Sequence, residues 1–332
     1  MPKLTSPLKV TFIGRYANGP TDIVRCIFLG LQELGHTVQE INVSRTPGRL
    51  LYNPHKRVGG NGPVYVRHAV VGPMIEEFQP DVILLCAGGL TFDEGMESLK
   101  RRAPVVGVTL SDPDVFPTVS PYAGKFTVHT TNSVAALERY RALGHTNTVL
   151  MPFAVDSRFF VPRRPVPELQ ADVAVIGHGR PDRYPVVKRL RAAFKTRVYG
   201  RNWPKAWSQG PVQGEDWFRA AYSVRFLVNF PRTAAGHTNV KVGVFEATAT
   251  GRLLFTEYFD EMRRYFKYDT EIVGYRDADD LVAKVKYYLD HPDEAERIAE
   301  AGQLRCASDH TWARRLSTLF DALAPHLKVR RA

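Results

Sequence analysis

The chain has 332 residues, of which 44% are hydrophobic and 24% charged, as in ordinary globular proteins. This length and composition exclude a disulfide-stapled miniprotein and a disordered chain, and they predict about two domains. Forty-five Lys and Arg against 34 Asp and Glu give a net charge of +11, which predicts an anionic partner, with phosphate as the first candidate.

Short apolar strands alternate with helical segments along the first half of the chain. Strands are predicted at 8–13, 81–86, 104–109, 125–129 and 147–151. Between the first two, residues 21–34 carry apolar side chains at helical spacing, and Gly35 ends the helix. Continuous apolar strands are typical of sheets covered on both faces, so residues 1–155 are predicted to form a doubly wound, Rossmann-like α/β domain.

A proline-rich stretch at 156–170 is predicted to be a linker, after which the alternation begins again. Strands are predicted at 172–177, 196–199, 224–229, 252–256 and 271–274, with helices at 184–194, 215–222, 240–249, 277–290, 293–307 and 311–324. Residues 171–310 are therefore predicted to form a second Rossmann-like domain, and residues 311–332 a closing helix with a basic tail. Open α/β sheets bind ligands at the carboxyl ends of their strands, so a cleft between the two domains is the expected site.

The turn after the first strand of the second half has the sequence GHGRPDR. Gly177 and Gly179 would let backbone amides approach an anion, and the following helix N-terminus favours negative charge. Asp182 stands where a G-x-G-x-x-G motif has its third glycine, so a simple tight turn is the alternative. Nine basic residues lie between 180 and 205 against Asp182 alone, among them Arg180, Arg183 and Lys188. Like charges on one helix face favour a bound diphosphate or polyanion, with a solvated face as the alternative.

A second candidate segment runs from Asn239 to Gly251 and has the sequence NVKVGVFEATATG. Its apolar stripe predicts a helix that carries Lys241 and Glu246 near the carboxyl ends of the strands. A carboxylate there can accept hydrogen bonds from both hydroxyls of a ribose. A solvated helix residue is the alternative for each of the two charged side chains.

Several segments in order resemble the GT-B glycosyltransferases of the CgeB-like (spore-maturation protein) kind, which are relatives of the family 4-like retaining glycosyltransferases. The resemblance lies in VIGHGRPDRYP at 175–185, VYGRNW at 198–203, the block at 239–251 and the closing segment at 280–315. It implies two Rossmann-like domains facing a cleft, with the last helix crossing back to the first domain. It also implies transfer of a sugar from a nucleotide diphosphate donor, UDP- or GDP-linked, with no metal or other cofactor.

The resemblance also assigns roles to residues of the second half. Glu246 would bind the ribose, and the donor nucleotide and diphosphate would be bound by Gly177, Gly179, Arg180, Arg183, Lys188, Asn239 and Lys241, the last also being a catalytic candidate. Thr238 stands eight positions before Glu246, where the wider retaining family has an acidic residue. Retention of the anomeric configuration is the prediction, and inversion is the alternative.

Candidates in the first half are fewer. His129, at a predicted strand end, could bind the donor sugar or polarise the acceptor, with a structural histidine as the alternative. Gly14, Arg15 and Asp112 are predicted to belong to acceptor-side loops. Asp112 and Asp114 have the letters of a metal motif but are equally consistent with a proline turn, and the scattered histidines give no zinc spacing, so no metal is predicted.

The acceptor is not identified by the sequence. An anionic acceptor, including nucleic acid, would account for the excess of basic residues. The alternative function is a non-catalytic protein of the same fold that binds a polyanion or nucleic acid, and an epimerase is a further enzyme alternative. Three widely spaced cysteines and the lack of a signal-like or membrane-spanning apolar segment predict a cytoplasmic chain. The sequence predicts no oligomeric state.

Overall fold

The computed structural model describes residues 7–17, 19, 21–45, 47–52, 64–86, 90–92 and 95–327. The chain divides into two compact units. One comprises Met1–Asn18, Asp22–Phe153 and Trp312–Ala332, and the other comprises Gly19–Thr21 and Ala154–Thr311.

The first unit is built on a parallel sheet. Its elements up to residue 153 are β1 (Lys9–Gly14), α1 (Ile23–Glu33), β2 (Thr37–Asn42), α2 (Pro47–Leu50), β3 (Leu51–Tyr52), β4 (Val64–Val66), α3 (His68–Phe78), β5 (Val82–Cys86), β6 (Leu90–Phe92), α4 (Met96–Arg102), β7 (Val105–Val108), α5 (Phe116–Ala123), β8 (Val128–Thr131), α6 (Val134–Ala142) and β9 (Thr148–Leu150). Six strands form the sheet in the order β2-β1-β5-β7-β8-β9, and β3, β4 and β6 form a small separate sheet. The apolar runs that predicted β1, β5 and β7 are buried, as expected for strands covered on both faces.

The second unit repeats this plan. Its elements are β10 (Ala171–Ile176), α7 (Tyr184–Ala193), β11 (Thr196–Tyr199), α8 (Glu215–Tyr222), β12 (Val224–Asn229), α9 (Val242–Ala249), β13 (Leu253–Glu257), β14 (Val273–Tyr275), α10 (Ala278–Asp290) and α11 (Pro292–Asp309). The five strands are parallel in the order β11-β10-β12-β13-β14. The prediction of two doubly wound α/β domains is confirmed.

The last helix, α12 (Trp312–Leu323), follows α11 in sequence but belongs to the first unit. It packs against α1 at Gly30, where an added Cβ would lie 2.8 Å from the Cβ of Trp312. The close approach of the two helices therefore requires the missing side chain. None of the described helices combines the length and apolar character needed to cross a membrane.

The segment predicted as a linker, 156–170, lies within the second unit. Its anchor is Phe159, whose buried ring packs on Trp217 and Phe218 of α8 at centroid distances of 5.6 and 4.9 Å. Ser157–Phe160 forms a 3-10 helix that begins after Asp156. Packing of an aromatic side chain thus makes part of this proline-rich stretch a component of the second unit.

The strand register shows on which face of the second sheet the side chains at the carboxyl ends of the strands lie. Asn229 of β12 lies opposite Thr256 of β13, and Glu257 of β13 lies opposite Tyr275 of β14. Successive side chains of a strand alternate between faces. Asn229 therefore shares one face with Thr256, and Glu257 shares the other with Tyr275.

Candidate functional site

Three cationic side chains converge on one carbonyl oxygen just beyond β12. The oxygen of Arg232 accepts hydrogen bonds from Arg180 Nη1 at 3.1 Å, from Arg183 Nη2 at 3.3 Å and from Lys241 Nζ. A carbonyl oxygen offers two lone pairs, so the three side chains of this cation cluster (Arg180, Arg183 and Lys241) compete for one acceptor, although each also has another partner. An excess of positively charged donors at the carboxyl end of a parallel sheet is suited to an anionic ligand.

Arg180 pairs with the carboxylate of Asp182 through Nε at 3.0 Å and Nη2 at 2.5 Å, and the other two cations are held by backbone carbonyls. Arg183, only 8% exposed, precedes the first residue of α7 and donates from Nη1 to the oxygen of His178 at 2.6 Å. Lys241 precedes α9 and donates from Nζ to the oxygen of Phe230 at 2.9 Å. Burial, followed by repulsion from Arg180, lowers the pKa of the Arg183 guanidinium. This direction is expected where like charges are gathered in a partly desolvated place.

The two glycines of the turn after β10 have a different role from the one expected. The N–H groups of Gly177 and Gly179 donate to the carbonyls of Tyr199 and Arg201, each at 2.8 Å. A Cβ at position 179 would lie 2.4 Å from the oxygen of Asn202, and Gly177 has φ +154°. The expectation that these amides approach an anion is therefore corrected: both are used in backbone hydrogen bonds, and the glycines allow the turn to pass against the loop after β11.

Asn239 supports the segment that carries Lys241. It is 3% exposed, and its N–H donates to the oxygen of Pro231 at 3.2 Å. An isolated antiparallel bridge also joins Arg232 to Thr238, whose own side chain is exposed. The structure thus brings Asn239 to the stretch that holds the shared carbonyl.

Glu246 lies on the opposite face of the sheet edge from Tyr275, in α9. It is 9% exposed and lines a cavity of about 30 Å³ together with Trp217, Asn229 and Gly243. Burial, with the nearby carboxylate of Asp156 as the second cause, raises the pKa of Glu246 to about 8. The side-chain oxygen of Asn229 is buried and has no hydrogen-bond partner among the described residues. A carboxyl group and an unpaired amide oxygen therefore border a space that accommodates a water molecule or part of a polar ligand.

Lys188 is not brought to this site. It lies on the exposed face of α7, and the hydrogen bonds and ion pairs of the described residues link it to none of the other predicted site residues. Its neighbour Arg189 pairs with Asp279 at 3.0 Å, and Arg191 donates to the oxygen of Ala206 at 3.3 Å. Much of the basic run after residue 187 is consequently a solvated helix face, the alternative that the sequence left open.

His129 lies in the core of the first unit. Its side chain is 0% exposed, Nε2 lies 3.0 Å from Oγ1 of Thr109, and Nδ1 lies 3.2 Å from Oγ1 of Thr148. Burial lowers the pKa of His129 to about 3, so the ring is neutral. The predicted contact with a substrate is corrected, because both ring nitrogens are engaged by hydroxyls inside the sheet. His129 is a structural histidine.

Asp112 is also buried, at 1% exposure, although it was expected on an acceptor-side loop. Its Oδ2 accepts from Oγ1 of Thr131 at 2.6 Å, and burial raises its pKa to about 6. Its place on an accessible loop is therefore corrected. Gly14 ends β1 and Arg15 is exposed beside it, and their part in acceptor binding stays a prediction.

The sequence analysis missed Glu257 and Tyr275. Glu257 is the last residue of β13, and its carboxylate lies in the field of Arg232, Arg183 and Lys241. Tyr275 ends β14 and is 1% exposed. A charged residue directly after the apolar run LLFT was the available signal, because carboxyl ends of parallel strands are where such sheets place ligand contacts.

Comparisons with known proteins identify the kind of protein to which this site belongs. A family model described as "Glycosyl transferase-like" matches residues 183–321, which include Arg183, Lys241, Glu246 and Glu257. The spore protein CgeB of Bacillus subtilis (strain 168) is 24% identical over 283 residues, covering 77% of this chain and 84% of the relative. Both matches support a CgeB-like glycosyltransferase. The predicted family and the prediction that the protein is an enzyme are confirmed.

Solved structures show the fold of this chain. Anabaena Alr3699/HepE in complex with UDP-glucose superposes with a TM-score of 0.60 at 9% identity, covering 96% of this chain and 100% of that one. AviGT4, a glycosyltransferase involved in avilamycin A biosynthesis, gives 0.60 at 15% identity, covering 96% and 98%. Sucrose-phosphate synthase from Thermosynechococcus elongatus gives 0.59 at 12% identity, covering 96% and 99%. The predicted GT-B fold is confirmed.

Proposed function

We propose that this glycosyltransferase transfers a sugar from a nucleotide diphosphate donor that binds at the carboxyl end of the second sheet. The observation that carries the proposal is the convergence of Arg180, Arg183 and Lys241 on the single carbonyl oxygen of Arg232. A diphosphate supplies several anionic oxygens, so it would offer these three cations stronger acceptors than the one neutral carbonyl that they share.

The reaction itself needs charge stabilisation at the same place. When the bond between the sugar and the diphosphate breaks, negative charge develops on the departing phosphate oxygen. Fixed cations that are already desolvated stabilise this charge without reorganisation, and removal of one such donor typically costs about 100- to 1,000-fold in rate. We therefore propose that the cation cluster stabilises the leaving group and that the reaction needs no metal ion.

Glu246 is the proposed ribose ligand. It is separated from the cation cluster by little more than one turn of α9, since Lys241 immediately precedes that helix. Its carboxylate can accept hydrogen bonds from two vicinal hydroxyls, and the unpaired amide oxygen of Asn229 adds a further acceptor. Deprotonation of a carboxyl group with a pKa of about 8 would be favoured by hydroxyl donors of the bound nucleoside.

The proposed nucleotide is UDP. Anabaena Alr3699/HepE, which shares the fold, was crystallised with UDP and with UDP-glucose. GDP is the alternative to be compared, and the acceptor is proposed to be anionic because the exposed face of α7 retains a basic surface. Retention of the anomeric configuration stays a prediction that NMR of the first-formed product checks.

Isothermal titration calorimetry with UDP and GDP tests the donor site. Replacing Glu246 with Ala should weaken binding of the preferred nucleotide by about 1 to 3 kcal/mol, because ribose hydroxyls lose their acceptor. Glu300→Ala, which changes an exposed carboxylate on α11, is the matched control and should leave the dissociation constant unchanged. Equal affinities of wild type and Glu246→Ala would remove Glu246 from the site.

The basic face of α7 favours a second candidate function, which is polyanion or nucleic-acid binding. Binding through phosphates of a polymer falls steeply with salt because counterions are released. Binding of one nucleotide should depend much less on salt and should discriminate between UDP and GDP. A protein that binds DNA or RNA with a steep salt dependence and binds neither nucleotide would favour this second function.

A further inference from the structure

A carboxylate faces the cation cluster from the neighbouring strand. Glu257 at the end of β13 is only partly exposed, and its pKa is raised, chiefly by burial and also by the carboxylate of Asp182, although the nearby cations Arg232, Arg183 and Lys241 act in the opposite direction. Yet its carboxylate forms no ion pair within 4.0 Å with a cation of the described residues. Glu257 thus lies near cations without a direct ion pair, and a polar ligand could form charge-assisted hydrogen bonds with both.

Two buried donors near Glu257 also lack partners. Among the described residues, neither Nε of Arg183 nor the hydroxyl of Tyr275 has a hydrogen-bond acceptor. Tyr275 is 1% exposed and lies directly opposite Glu257 in the strand register, so the two side chains share one face of the sheet. Buried polar atoms are ordinarily satisfied, and unsatisfied ones gathered around a carboxylate indicate a place for a group that both donates and accepts hydrogen bonds. A sugar hydroxyl is such a group.

The sheet edge therefore presents three chemical zones in order. Glu246 lies on one face, the cation cluster lies at the end of β12, and Glu257 lies on the other face. A nucleotide sugar has the same sequence of groups: a ribose diol, a diphosphate and a polyol. We propose, on the basis of the donor site proposed above, that Glu257 binds hydroxyls of the donor sugar and thereby determines which sugar is accepted.

This assignment differs from a purely electrostatic role. If Glu257 only offset the charge of the cation cluster, its removal would change the affinity for a nucleotide diphosphate and for its sugar derivative by the same factor. If it binds the sugar, its removal weakens only the sugar derivative. The ratio of the two dissociation constants separates these roles.

The experiment compares wild type with Glu257→Ala by calorimetry, using UDP and GDP and their glucose, N-acetylglucosamine and mannose derivatives. For the preferred donor, the affinity relative to the free diphosphate should fall at least 10-fold in Glu257→Ala, while the diphosphate itself binds as well as before or more tightly. Asp260→Ala is the matched control, because it removes an exposed carboxylate three residues further along the chain. This control should leave both constants unchanged.

A second measurement avoids any variant. Deoxy analogues of the preferred donor sugar, titrated into the wild-type protein, should include at least one whose lost hydroxyl lowers affinity about 10-fold or more. If the wild type binds nucleotides and Glu257→Ala leaves both dissociation constants unchanged or changes them by the same factor, this inference alone is overturned. Should Glu257→Ala not fold, uniform tolerance of all deoxy analogues overturns it. Failure of the wild type to bind any of these nucleotides overturns the proposed function and this inference together.

Discussion

One buried polar cluster from each unit shows how differently hydrogen bonds can be balanced. In the first unit, the two nitrogens of His129 meet the hydroxyls of Thr109 and Thr148, one partner for each. At the edge of the second sheet, three cations share the oxygen of Arg232. A balanced buried cluster is complete without a ligand and stabilises the fold. A cluster in which three cations share one neutral acceptor gains stability when an anion binds.

The charge states of the buried groups also differ between the two clusters. Burial lowers the pKa of His129 to about 3, so this side chain is a neutral imidazole at neutral pH. The Arg183 guanidinium keeps its charge although the side chain is largely buried, because a guanidinium is not deprotonated in proteins. Retained, partly desolvated charge is the property that separates a binding site from a structural polar cluster.

The largest expected effect is on the first unit. His129→Ala should lower the free energy of unfolding by about 3 kcal/mol, because it leaves a cavity and two hydroxyls without partners. Urea unfolding followed by circular dichroism measures the change. Nucleotide affinity at a temperature where the variant is folded should equal that of wild type. Lost binding with unchanged stability would instead place His129 in the functional site and contradict its assignment to a structural cluster.

The second prediction concerns the cation cluster. Arg183→Met should weaken binding of the preferred nucleotide diphosphate by about 2 kcal/mol, because a desolvated charge-assisted hydrogen-bond donor is removed. Calorimetry measures the dissociation constant, and Lys188→Met on the exposed face of α7 is the matched control. We expect the control to bind like wild type. Equal losses in both variants would mean that the whole basic run, rather than the cluster, attracts the nucleotide.

The third prediction sharpens the contrast through pH. The carboxyl group of Glu246 keeps its proton to about pH 8 in the folded chain and loses it near its ordinary pKa of 4.5 in the unfolded chain. Between these values the folded state binds more protons, so this group makes the free energy of unfolding fall as pH rises.

Glu246→Gln should abolish that contribution. As the pH rises from 6 to 7, the free energy of unfolding of the variant should increase relative to that of wild type by about 1 kcal/mol. This is the change expected when the folded and unfolded states of wild type differ by one bound proton. Chemical unfolding of both proteins at a series of pH values measures the difference. Parallel pH profiles would show that Glu246 ionises normally and is not desolvated. Glu300→Gln should follow the wild-type profile.

The fold of the second unit was predicted closely because its signals are local. The strands at 196–199 and 224–229 and the helix at 215–222 begin and end as predicted. In the first unit, α3 and α5 were not predicted, and each contains a proline, Pro73 and Pro121, inside the helix. Tertiary packing of their buried apolar residues overrides a local helix-breaking signal that sequence patterns weigh heavily.

The candidate site was predicted in part. The cation cluster and Glu246 were named as donor ligands through the family resemblance, while residue type and position alone left a solvated residue as the alternative. Lys188 was named with them because charge is visible in sequence, whereas the direction in which a helix turns its charged face is set by packing. Glu257 was missed because a single acidic residue after a strand acquires meaning only from the neighbours that the sheet brings to it.

The amino-acid sequence by itself determined the two α/β units, the family and the basic character of the second unit, because periodicity, glycine turns and charge are local properties of a chain. Only the tertiary structure decided that Arg180, Arg183 and Lys241 meet at one carbonyl, that the amides of Gly177 and Gly179 are already used, and that His129 is sealed in a core. These outcomes depend on contacts between residues far apart in sequence, and burial, hydrogen-bond balance and pKa are fixed by such contacts.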